Sequence, residues 1–68
     1  MTERKIAGWT SPNGDITIQV WDLGDLCQVQ EQKHGGGAFS AEPYATEAEA
    51  RAVARAKAEI IRYNQTGR

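Results

Sequence analysis

Ser11-Pro12-Asn13-Gly14-Asp15-Ile16-Thr17-Ile18-Gln19-Val20-Trp21 decides the fold. Asn-Gly between two β-prone runs is the strongest short-range hairpin cue, because both residues tolerate the positive φ of a type I′ turn. With Asn13 and Gly14 as the loop residues, Ser11 faces Ile16, Trp9 faces Ile18 and Ala7 faces Val20. That register collects the apolar side chains on one face, leaving Ile6 and Trp21 on the other, and a one-residue slip would scatter them.

Working outward, strands are expected over about 4–11, 15–22 and 26–33, with a short fourth over 38–41. Asp22-Leu23-Gly24-Asp25 separates the second from the third. Gly35-Gly36-Gly37 breaks the third from the fourth, and Pro43 is expected to close the fourth because proline cannot donate to a ladder. Thr46-Glu47-Ala48-Glu49 has the form of a capping box. It opens a helix expected over about 47–63, with Asn64 and Gly67 as stop signals. At about 100° per residue, Ala45, Ala52, Val53, Ala56, Ile60 and Tyr63 form a stripe expected to cover the sheet. The fold class is therefore α+β, an antiparallel β-meander of three to four strands packed on one face by a single C-terminal α-helix.

The chain has 68 residues, 40% hydrophobic, with eight basic and nine acidic side chains and a net charge of -1. That predicts one domain, residues 1–68, whose folding buries only about 60% of the surface the unfolded chain exposes. Cys27 is the only cysteine, so an intrachain disulfide is excluded and a reducing, cytoplasmic setting is expected. His34 and Cys27 are too few soft or imidazole ligands for structural zinc, so no metal and no cofactor are expected. No apolar run approaches the roughly 18 residues of a membrane span. The charged start Met1-Thr2-Glu3-Arg4-Lys5 has no hydrophobic signal region after it.

Catalysis is not indicated. His34, between Lys33 and three glycines, reads as a solvated loop residue with no orienting partner for general-base work. Cys27 alternates inward, and the nearby Asp22 and Asp25 would raise a thiol pKa rather than activate it. Lys33-His34-Gly35-Gly36-Gly37 lacks the spacing and the Gly-Lys-Ser/Thr ending of a phosphate-binding loop.

Three surfaces remain. Trp21 points away from the helix-covered face, and with Ile6, Leu23, Gln28 and Gln30 it forms the candidate contact face for a larger protein or protein complex. Arg51, Arg55 and Arg62 fall within about 40° of one another on the helix, a second candidate surface suited to phosphates or an acidic protein. Glu47 and Glu59 stand at ion-pair spacing from those arginines. Ala50, Ala54 and Ile61 form a candidate dimer face on the side expected to point away from the sheet.

The run Phe39-Ser40-Ala41-Glu42-Pro43-Tyr44-Ala45-Thr46-Glu47-Ala48-Glu49-Ala50 resembles the strand-to-helix junction of small phage and prophage domains, over about the last 30 residues. It is also similar to the arm-binding N-terminal domain of phage integrases, which is usually basic, whereas this chain is slightly acidic. In size, charge and lack of motifs the chain is similar to the anti-CRISPR, counter-defence kind of protein. That resemblance implies a phage-type inhibitor acting by steric block in the host cytosol, with DNA mimicry disfavoured by the dispersed acids. The alternatives are a small nucleic-acid-binding module and a structural homodimeric subunit.

Overall fold

The computed structural model describes residues 3–67. Four antiparallel strands form one open sheet in the order β1-β2-β3-β4, and one helix packs on it. They are β1 (Arg4–Thr10), β2 (Ile16–Asp22), β3 (Cys27–Lys33), β4 (Ala38–Tyr44) and α1 (Glu47–Thr66). The α+β meander expected from the sequence is the observed fold.

The first hairpin has the expected pairs Ala7–Val20 and Trp9–Ile18, but its turn is built differently. Among the described residues only glycines have positive φ, so Asn13 does not take the conformation a type I′ turn requires. Pro12 presets the φ suited to the first corner of an ordinary turn, and Gly14 alone takes positive φ, at 81°. The Gly14 N–H donates to Ser11 O at 2.9 Å, and the Ser11 N–H to Ile16 O at 2.8 Å. Ser11 is buried, and its hydroxyl donates to Asn13 Oδ1 while accepting from the Ile16 N–H.

A bulge lies between Lys5 and Ala7: Lys5 pairs with Trp21, Ala7 with Val20, and Ile6 is the extra residue. An extra residue inverts the alternation, so Ile6 and Ala7 both pack on the core. Ile6 therefore does not share a face with Trp21, contrary to the expectation.

β4 extends to Tyr44, with Pro43 inside it opposite Gln28. Proline is tolerated there because β4 is an edge strand with no neighbour on its other side. Tyr44, at the end of the strand, packs against the core.

The core is Ile18, Val20, Cys27, Val29 and Ala50. Ala50 has no exposure at all, and Ala54, Ala58 and Ile61 line up with it at helical spacing, also packed inward. The candidate dimer face is thus the buried face of α1. The stripe expected to cover the sheet is turned away or to the side, with Ile60 62% and Tyr63 61% exposed. Alanines at every fourth position allow closer approach to the strands than Val53, Ile60 and Tyr63 would. A Lys57 Nζ–Glu31 Oε1 pair at 3.6 Å ties the helix to β3.

The Thr46 cap is as expected, its Oγ1 accepting the Glu49 N–H at 3.2 Å. The helix runs past Tyr63 to Thr66 and ends on Gly67, whose N–H donates to Tyr63 O. The last turn is held because Gln65 Oε1 accepts the Asn13 N–H at 3.2 Å, joining α1 to the first hairpin. α1 therefore crosses the sheet diagonally, from the end of β4 towards the β1–β2 turn. Among the described residues no helix is long and apolar enough to cross a membrane.

Ala50→Leu should overfill the helix–sheet contact and destabilise the fold by roughly 1–3 kcal/mol. The exposed Ala52→Leu should change stability by no more than about 0.5 kcal/mol. Urea denaturation of both variants measures this, and equal losses would contradict the observed helix face.

Candidate protein-binding surfaces

Residues paired across strands share a face, and successive residues alternate. The buried Val20–Val29 row defines the core side. One residue along, Lys5, Trp21, Gln28 and Pro43 form a row on the opposite, open side. Behind it come Gly8, Gln19, Gln30 and Ala41, then Thr10, Thr17, Gln32 and Phe39. Among these strand residues Lys5 carries the only charge. Phe39 is 59% exposed and Trp21 is half-buried.

Hydrogen bonds hold the Gln19, Gln28 and Gln30 amides of this face in order. The Trp21 indole N–H donates to Gln19 Oε1 at 2.9 Å, and Gln30 Nε2 donates to Gln28 Oε1 at 2.7 Å. The structure thus brings Trp21, Gln28 and Gln30 together. Leu23 lies just past β2, in the turn closed by its N–H to Leu26 O at 2.9 Å. Phe39, Gln19 and Lys5 are members that sequence reasoning missed. Phe39 and Gln19 could have been found by carrying the alternation into β4 and across β2, whereas Lys5 is there only because of the bulge.

The arginines occupy a second place. Arg51, Arg55 and Arg62 line a groove of about 530 Å³ between α1 and β1. Its floor includes Ala7, Trp9, Val20 and Ala58. Trp9 is half-buried at this wall rather than enclosed, so its loss should cost less than the roughly 3–5 kcal/mol of a fully buried tryptophan. Arg51 Nε lies 2.7 Å from Glu47 Oε2, and Arg51 Nη2 donates to Ile6 O at 3.4 Å. Arg55 is held loosely, 3.8 Å from Glu59, and both side chains are largely exposed. Among the described residues Arg62 has no carboxylate partner within ion-pair distance.

The groups with chemical potential are otherwise committed. Burial pushes the Cys27 thiol above its usual pKa, and the Asp22 and Glu47 carboxylates push it the same way. His34 does have a partner, since its Nε2 lies 2.9 Å from Thr17 Oγ1 on the exposed surface. The Gly24 N–H donates to Asp22 Oδ1 and, with Arg4 beside it, holds the carboxyl below its ordinary value. Burial and a hydrogen bond to Glu42 raise the Tyr44 phenol.

Comparison of the chain with protein-family models, with curated proteins and with solved structures finds no match in any of the three.

Two solution measurements follow from these environments. Folded protein at pH 8 should react slowly with a dithiobis-nitrobenzoate reagent, and urea should release the reaction; fast labelling without urea would place the Cys27 thiol in solvent. Because folding lowers the Asp22 pKa, its contribution to stability is complete above the ordinary value of 3.8 and disappears as pH falls through the folded value. Asp22→Asn should therefore unfold at lower urea than the parent at pH 7 but match it near pH 2. A difference that persists at the acid end would assign its cause to something other than ionisation.

Proposed function

We propose that this protein is a non-enzymatic binding module that docks the open face of its sheet on a larger protein and blocks that surface sterically, as a phage-type inhibitor of the anti-CRISPR kind does. The observation that carries the reading is the composition of that face. A solvated sheet face carries polar side chains, and here those are uncharged glutamines and threonines around Trp21 and Phe39, with Lys5 the one charge among them. Depletion of charge around an aromatic anchor is the compositional signature of an interface centre. Glutamine amides supply donors and acceptors that a partner's backbone can meet without the desolvation cost of an ion. The lone cysteine supports action in a reducing cytoplasm.

A homodimer through Ala50, Ala54 and Ile61 is not available, because those residues face the sheet. Docking on a larger protein predicts that tagged protein, recovered from lysate of its source organism, carries a stoichiometric protein that resists nuclease treatment. Trp21→Ala should lose that partner while keeping its circular dichroism and urea midpoint near the parent's. Retention of the partner by a folded Trp21→Ala variant, or its loss on nuclease treatment alone, would overturn the assignment.

A further inference from the structure

The open face leaves the groove between β1 and α1 without a role, and that groove has its own chemistry. The Ser11 N–H bonds Ile16 O, so by the alternation of an antiparallel ladder Trp9 and Ala7 also turn their backbone groups towards β2. The N–H and C=O groups of Gly8 and Thr10 then point outward, along an edge with no strand beside it. Across the groove from this strand the helix presents Arg55, which is loosely paired, and Arg62, which is unpaired among the described residues. Glu59 is the only acid lining the groove. An unpaired strand edge, an apolar floor and a cationic rim on the helix side thus occur together.

We propose that this groove takes an extended acidic segment of a partner protein, which adds as a strand to the edge of β1. Its backbone pairs with Gly8 and Thr10, an apolar side chain rests on Ala7, Trp9 and Ala58, and flanking carboxylates meet the arginines. The spacing allows this. Arg55 and Arg62 are seven residues apart, about 10 Å along the helix. Carboxylates at positions i and i+4 of a strand stand about 13 Å apart, within reach of long arginine side chains. A second copy of this chain paired edge to edge would bring two such arginine rims together, which like charge opposes. A single nucleic-acid strand would satisfy the arginines and could stack on Trp9, but it would leave the outward backbone groups of Gly8 and Thr10 unmatched. This site is independent of the open face.

The probe is a fluorescein-labelled heptapeptide of threonine at odd positions with glutamate, valine and glutamate between, titrated against the full chain by fluorescence anisotropy. Saturable binding is expected, weakened about tenfold or more when Arg55→Glu and Arg62→Glu are combined, and similarly when the peptide's glutamates become glutamines. Both arginines are exposed, so the double variant should keep the parent's circular dichroism. N-methylation of one alternate set of peptide amides should abolish binding, and of the other set should spare it, because only one set can face β1. Trp21→Ala should leave binding unchanged, which separates this site from the proposed docking face. Absence of saturable binding, equal binding of the glutamine peptide, or indifference to both N-methyl sets would overturn the proposal. Preference for a labelled oligothymidylate would also overturn it, giving the groove to nucleic acid instead.

Discussion

Ala50, wholly enclosed among Ile18, Val20, Cys27 and Val29, sets the distance at which α1 lies on the sheet, and the rest of the molecule follows from that approach. A helix is about 10–12 Å across, while strands are spaced about 4.8 Å apart, so one helix can cover little more than two strands of a four-stranded sheet. Which strands are covered is a matter of connection. α1 starts just after β4, with only Ala45 and the Thr46 cap between, and its far end is tied to the first hairpin through Gln65. The diagonal between those two anchors passes over β2 and β3 and leaves the core side of β1 uncovered. The arginine groove is what remains beside it.

The bulge at Ile6 has a comparable reach for a single residue. Without it, Ile6 would stand beside Trp21 on the open face and Lys5 would point at the core. With it, the apolar side chain is buried and the ammonium is carried out over Gly8, where its Nζ would lie 3.8 Å from a Cβ added at that position. The same irregularity blunts the first half of the β1 edge, and Arg51 reaching Ile6 O covers it further. On the opposite edge Pro43 removes a donor from β4. The stretch around Gly8 and Thr10 is therefore the length of exposed β1 edge with neither device on it.

The sequence made the strands, the register beyond Ala7, the helix cap and the open side of Trp21 legible, because each rests on short-range rules: alternation, turn residues and a capping box. It misled at Asn13, where Asn-Gly suggested a type I′ turn although the preceding Pro12 favours an ordinary turn followed by glycine. The helix face was misread for a different reason. Alanine recurs at positions 48, 50, 52, 54, 56 and 58, so small residues mark no side, and Val53, Ile60 and Tyr63 pulled the reading towards the wrong stripe. Close packing selects the side with the smallest residues, which a hydrophobicity count ranks lowest. The arginines were identified as a ridge, but a ridge becomes a groove wall only once the neighbouring stripe is known to be buried.

One helix cannot cover both faces of a four-stranded sheet, so the composition of the face it leaves is informative. On the core side the uncovered strip beside β1 is bordered by cations; on the open side charge is almost absent. These two solutions differ in what they require of a partner. A charge-poor face of ordered amides gains from close, dehydrated contact and loses little when salt rises, whereas an arginine-rimmed groove draws an acidic segment from a distance and weakens as salt screens it. The two surfaces lie on opposite sides of one thin sheet and meet only along the β1 edge, where Gly8 and Thr10 belong to both. One partner can occupy both only by wrapping around the β1 edge, so a single rigid protein surface would engage one and leave the other free.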